Sequence, residues 1–202
     1  MKKLILIDPN PVLCNEWKKS FEGYEEVEIV NGYFEELEEF DCMVSAANSF
    51  GLMDGGVDYA IIKYFGTDLE KRVQQRIIEK YRGEQPVGTS MIVETNHAKH
   101  PFIAHTPTMR VPLKITRTDN VYKAMFAMLL SVHHHNIEVE NSVKINVVAC
   151  CGLGTATGRV SEEEAARQMQ LAYKNFKNPP SIINWNYVSQ RQNEIIFGGD
   201  LF

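Results

Sequence analysis

The chain has 202 residues, 44% of them hydrophobic and 23% charged, with a formal net charge of -5. This suffices for one substantial core and excludes a disordered or collagen-like chain. It also argues against a protein that coats long nucleic acid, because that affinity rests on neutralising many phosphates, whereas a small anion needs only a local site. The four cysteines, Cys14, Cys42, Cys150 and Cys151, form neither a C-x-x-C pair nor a secreted framework, which suits a reducing compartment. The apolar run Leu4 to Ile7 is too short for a signal-peptide core or a membrane span, so a cytoplasmic location without membrane contact is expected.

In chain order, Leu4 to Ile7 reads as a strand closed by Asp8-Pro9-Asn10-Pro11, and Val12 to Phe21 as a helix with Leu13, Trp17 and Phe21 on one face. Val27 to Val30 is a second strand, Tyr33 to Phe40 an acidic turn or short helix, and Asp41 to Ala47 a third strand apolar enough to be interior. Val57 to Tyr64 and Asp68 to Tyr81 follow as helices, with Gly83 ending the second. Pro86 to Thr95 and Phe102 to Thr106 suggest a hairpin, and Pro107 to Pro112 a rigid loop carrying Arg110. Asn120 to His134 is an amphipathic helix capped by Thr118 or Asp119, and Val143 to Cys151 a strand. Ser161-Glu162-Glu163-Glu164 opens a last long helix, to about Phe176, with a capping-box pattern. The tail from Ser181 to Phe202 carries Trp185, Tyr187, Ile195, Ile196 and Phe197, apolar enough to dock on the body.

Strands alternating with helices, without an internal repeat or linker, predict a single α/β domain over residues 1–202 with a mostly parallel or mixed sheet. Two strand-to-glycine-loop-to-helix turns then stand out, one at Asp41 to Gly66 and one at Val143 to Phe176. In an open α/β sheet ligands gather at the carboxyl ends of strands, and unpaired N–H groups at a helix start attract phosphate. Each residue also has a plainer reading. Gly55-Gly56 can be only a tight turn, Asp58 a first-turn acid favoured by the helix dipole, Asn48 a bridge within its own turn, and Gly152 to Gly158 a connector. Cys150 and Cys151 read as core residues, His105 as a hydrogen-bonded structural histidine, and Arg110 as a partner for a phosphate or a carboxylate. His133-His134-His135 lacks a Cys or acidic partner at ligand spacing, so no metal is expected.

Val44-Ser45-Ala46-Ala47-Asn48, followed by Gly55-Gly56-Val57-Asp58 and Ala60-Ile61, resembles the V-N-A-A-N, spacer, G-G-V-D-x-A-I signature of macrodomains, which bind ADP-ribose. The second glycine loop and Phe102 to Pro107 are similar to later family segments, and the resemblance spans roughly Val27 to Phe176. It implies a three-layer α/β/α sandwich around a central mixed sheet, with an ADP-ribose cleft. It places Asn48 at the distal ribose and Asp58 near the scissile bond. Ala47, Gly55, Gly56 and Val57 would lie along ribose and diphosphate. Gly152, Leu153, Gly154, Thr155, Ala156, Thr157 and Gly158 would wrap the diphosphate, with Tyr33 and Phe34 on the adenine side. The chain departs from the pattern in four places. Ser45 stands for the first asparagine of the motif, Ile62 for a histidine common in hydrolytic members, Tyr33-Phe34 for an Asp-Ile pair, and Ala156-Thr157 for an aromatic residue. The implied function is binding of ADP-ribose or a related NAD-derived nucleotide with hydrolysis of an ADP-ribose linkage, without a cofactor, the partner being the nucleotide or an ADP-ribosylated protein or nucleic acid. A non-catalytic sequestering module is the first alternative. A Rossmann-type NAD-dependent enzyme, suggested by Gly152-Leu153-Gly154, is the second, although Thr157 stands where G-x-G-x-x-G needs its third glycine.

Overall fold

A computed structural model describes residues 1–197. Six strands, β1 (Lys3–Asp8), β2 (Val27–Asn31), β3 (Cys42–Asn48), β4 (Met91–Glu94), β5 (Phe102–Met109) and β6 (Val147–Cys150), form one sheet in the order β2-β1-β6-β3-β5-β4. All neighbours run parallel except the β4–β5 hairpin. The sheet is mixed. The chain enters at β1, next to the edge strand β2, and both glycine loops leave the carboxyl ends of the two central, adjacent strands, β3 and β6.

Helices cover both faces. Helices α1 (Pro11–Ser20), α4 (Asn120–Glu138) and α5 (Glu162–Lys177) enclose one apolar cluster with Leu4, Leu6, Val44 and Val148. Helices α2 (Gly56–Phe65) and α3 (Asp68–Tyr81) enclose the other with Ile5, Ile7, Met43 and Ile103. The alternation along β1 and β3 therefore feeds two cores from opposite faces, which is the three-layer sandwich. Local chemistry sets the helix ends. Asn10 accepts the Val12 N–H at 3.0 Å to start α1, and Ser161 accepts the Glu164 N–H at 3.3 Å to start α5. At the start of α4 the Thr118 hydroxyl accepts the Asn120 N–H at 3.3 Å, while the Asp119 side chain makes no cap bond.

Several elements differ from the sequence-based expectation, each for an identifiable reason. The run Val143 to Cys151 joins the sheet only from Val147. Before it, the Asn136 side chain brackets both backbone groups of Ile145 at 2.7 Å, and Asp41 Oδ2 accepts the Asn146 and Val147 N–H groups, so side chains replace the ladder. The Pro86 to Thr95 run begins with a turn in which the Thr89 hydroxyl donates to Pro86 O, leaving only Met91–Glu94 as strand. Strand β5 continues through Pro107 to Met109. Its pairing with β4 ends at His105, so no ladder bond is asked of the proline on that side. Tyr33 to Phe40 holds only a single 3₁₀ turn at Phe34–Glu36.

The tail forms a helix, α6 (Trp185–Phe197). Arg167, paired bidentately with Glu164, donates to the Glu194 and Ile195 carbonyls at 2.8 and 3.0 Å, and Arg191 donates to the Tyr122 hydroxyl at 3.0 Å. Ile195 touches the core, whereas Trp185 is 82% exposed, so docking runs through polar groups more than through the apolar residues the sequence offers. Residues 198–202 and the side chain of Phe197 lie outside the described residues. Among the described residues no helix is long and apolar enough to cross a membrane.

Candidate functional site

A cleft of about 710 Å³ opens across the carboxyl ends of β1, β3, β5 and β6. Its lining includes Tyr33, Phe34, Ala47, Asn48, Gly55, Gly56, Val57, Asp58, Gly152, Gly154, Thr155, Ala156, Thr157 and Gly158. Of the residues that the family resemblance places at the nucleotide only Leu153 is missing. Its side chain is fully buried in the core cluster that also holds Ile115 and Val121, and the chain turns just after it at Gly154, with φ +74°. The Leu153 side chain thus anchors the loop from behind.

The α2 end of the cleft is rich in N–H groups. Gly55 is the N-cap of α2 and no side chain caps it, so the first-turn donors remain for a ligand. Gly56 has φ +58°, a conformation glycine adopts without strain, whereas Gly55 is extended at φ -153° and a Cβ there would meet nothing within 4 Å. The second loop differs from expectation. It does not run directly into a helix: Ser161 already caps α5, and Glu162, Glu163 and Glu164 fill its first turn. The loop's own backbone remains as donor, since the N–H groups of Thr155, Ala156 and Thr157 make no hydrogen bond among the described residues. This start is also unlike a Rossmann turn, where the glycine loop opens the helix itself.

Asp58 carries the site's unusual electrostatics. It lies in the first turn of α2, is 5% exposed, and its Oδ1 accepts the Ser45 hydroxyl at 2.7 Å. Burial pushes its pKa up to about 7, the Ser45 hydrogen bond opposes this, and the nearby carboxylates Asp54 and Glu70 add to the rise. A carboxyl group held near neutrality can both take and give a proton.

Asn48 is bonded mainly within its own loop. Its Nδ2 donates to Leu52 O at 2.7 Å, and its Oδ1 accepts the N–H groups of Phe50 and Leu52 at 3.0 and 3.3 Å. The plainer reading of Asn48, a bridge within its own turn, describes these contacts. A register shift in the β3–β5 ladder falls at Ala47/Asn48 and re-aims the chain there. Ile62, at the position of the family histidine, is buried in the core. Tyr33 is exposed in the cleft, while Phe34 is buried against Phe40 and Tyr64 and anchors the turn.

The cleft also contains residues the sequence did not single out. Asp8, at the end of β1, accepts the Gly152 N–H at 3.1 Å and the Asn10 N–H at 2.9 Å, and Asn10 donates to Glu162 at 3.0 Å. The turn after β1 thus props up the second loop. Its position at a strand's carboxyl end was the available signal. Met109, Pro112 and Asp54 complete the α2 end.

The remaining candidates lie elsewhere. Arg110 pairs with Glu84 at 2.7 Å on the surface. His105 is buried, bonded through Nδ1 to Gln85 at 2.7 Å, and burial holds its pKa down at about 3. Cys150 and Cys151 are buried and desolvation pushes both thiols up, so neither is a ready thiolate. Among the described residues no group of histidine, cysteine, aspartate or glutamate is placed to hold a metal ion.

Residues 44–169 match the family model described as Macro domain. An uncharacterized protein of Aquifex aeolicus is 31% identical over 152 residues, 75% of this chain and 83% of that protein. Among solved structures, a mutant macrodomain of Oceanobacillus iheyensis with ADPR superposes with a TM-score of 0.60 at 20% identity, covering 81% of this chain and 88% of that one. The macrodomain of Mycobacterium tuberculosis DarG superposes with a TM-score of 0.56 at 18% identity, covering 71% and 87%. Together with the sheet order and the two glycine loops, the family match and the Aquifex relative assign the chain: it belongs to the macro domain family.

Proposed function

We propose that the chain binds ADP-ribose or a closely related NAD-derived nucleotide in this cleft and hydrolyses an ADP-ribose linkage there. The observation that carries the reading is Asp58. A carboxyl group without a cationic partner among its hydrogen bonds, held near pKa 7 by burial, lies beside the uncapped start of α2 in a cleft rich in backbone donors. The fold likeness to macrodomains recorded with ADPR and with ADP supports the ligand class.

In the proposed reaction the diphosphate lies along the Thr155 to Thr157 backbone and the distal ribose points to the α2 end. Water adds to the anomeric carbon and the glycosidic bond to the carried group breaks. Asp58, as the anion, takes one proton from the attacking water and, once protonated, returns it to the departing group, so no net proton is consumed. The carried group, on a protein or a nucleic acid, sits outside the cleft.

One observation favours a second reading, a non-catalytic module that sequesters the nucleotide. Asn48 Oδ1 and one hydrogen of its Nδ2 are engaged by its own loop, so Asn48 has no free acceptor for a water and only its second amide hydrogen to offer a ligand. Calorimetric titration with ADP-ribose beside a hydrolysis assay on ADP-ribosylated protein and oligonucleotide separates the two. The catalytic reading expects release of ADP-ribose by the wild type and retained binding without release by Asp58→Asn. Tight binding without release by the wild type establishes the module instead.

A further inference from the structure

The two oxygens of the Asp58 carboxyl group have different surroundings. Oδ1 accepts the Ser45 hydroxyl at 2.7 Å. Oδ2 has no hydrogen-bond partner among the described residues, yet it is not one of the fully enclosed unpaired atoms, so it keeps access to the cleft that Asp58 lines. Ser45 is wholly buried on β3, an interior strand held by parallel ladders to β5 and β6, with its Cα opposite His105. The sheet therefore fixes the hydroxyl, and the hydroxyl reaches across the layer to the first turn of α2.

We propose that Ser45 is a positioning residue: by donating its one hydroxyl hydrogen to Oδ1 it holds the Asp58 carboxyl in a single orientation, so that Oδ2 alone meets the attacking water and alone carries the proton the reaction moves. This deepens the hydrolytic reading and rests on it. No other group takes over the task. The charged groups acting on Asp58 are Asp54 from the preceding loop and Glu70 from α3, both acidic, and the Cys151 thiol after β6 is protonated. His105 from β5 is neutral, with Nδ1 committed to Gln85. With Ser45 silenced, the carboxyl group loses its tether and its anion loses the only side-chain hydrogen bond it has among the described residues.

The test uses the full chain with Ser45→Ala, the nearly isosteric weak donor Ser45→Cys, and the hydroxyl-retaining Ser45→Thr. One readout is the ¹³C titration of the Asp58 carboxyl group without ligand. The other is the pH profile of kcat and KM on an ADP-ribosylated substrate. Loss of a hydrogen bond to the charged form should raise the Asp58 midpoint by about one pH unit in Ala and Cys. The turnover profile should move with it, and kcat should fall about tenfold with KM changed by less than about twofold, as expected for a lost transition-state interaction. Thr restores both. An unmoved midpoint in Ala and Cys overturns the tether, and a raised midpoint with an unmoved turnover profile overturns its catalytic role alone. Absence of turnover in the wild type overturns the proposed reaction, and this role with it, while the titration still reports separately on the tether.

Discussion

Replacing Asp58 by Asn should stabilise the protein in a pH-dependent way. Folding raises the Asp58 pKa from 3.8 to about 7. Between these values the folded state holds a proton that the unfolded state has released, so stability falls as pH rises through the window. The cost is complete above about pH 7 and absent below about pH 4. At ~1.4 kcal/mol per unit, about three units give ~4 kcal/mol. His105 works in the opposite direction. Its folded pKa is lowered from 6.5 to about 3, so between these values the unfolded state binds the extra proton and stability falls as pH falls. From about pH 6.5 to about pH 4 the two slopes cancel in the wild type. Asparagine keeps an oxygen for the Ser45 hydroxyl and removes the charge, which leaves the His105 slope exposed. In urea denaturation Asp58→Asn should therefore exceed the wild type by ~4 kcal/mol at pH 8, with the gap closing to about zero near pH 4. Groups common to both proteins drop out of the difference. A gap independent of pH, or none at pH 8, would refute a buried carboxyl group with a raised pKa.

The two glycine loops give contrasting expectations. Gly55 is extended and its missing Cβ faces open space, so Gly55→Val should leave the thermal midpoint within about 2 °C of the wild type and weaken ADP-ribose binding at least tenfold by calorimetry. Gly158 is enclosed: a Cβ there would run into the Gly154 carbonyl oxygen and lie 2.8 Å from Ile115 Cγ1. Gly158→Ala should thus cost about 1–3 kcal/mol in denaturant melts, with or without ligand.

The fold was readable because its strands and helices carry local periodicities and because β3 and β6 each end in a glycine loop. What escaped was non-local. The Asp41 side chain that takes the place of a ladder before β6 bonds to residues 105 and 106 positions away, and no window of sequence contains that exchange. Asp8 supports Gly152 from 144 residues away. The burial of the Leu153 side chain was not legible either, because spacing marks a loop without telling which of its side chains face the cleft and which the core. Ser45, legible only as a departure from a motif, acquires a partner once α2 folds back over β3 and brings Asp58 to its hydroxyl.

The charge of the cleft sets one more expectation. Among the described residues its lining includes Asp8, Glu35, Asp54, Asp58 and Glu162 but neither lysine nor arginine. An anionic diphosphate must therefore be met by backbone N–H dipoles at the start of α2 and along Thr155 to Thr157, against a background of like charge. Dipoles at contact distance are barely screened by salt, whereas repulsion from the exposed carboxylates is. A site built on cations weakens as salt rises, and this one should not. Raising ionic strength from ~0.05 M to ~0.5 M, where the screening length shortens to a few ångström, should leave the ADP-ribose Kd within about twofold or tighten it. The same argument disfavours added charge on the ligand, so ADP, with its terminal phosphate, should bind more weakly than ADP-ribose at low salt, with the difference shrinking as salt is added. Steep weakening of ADP-ribose binding with salt would mean that a cation outside the cleft lining carries the diphosphate, and would remove the backbone loops from that role.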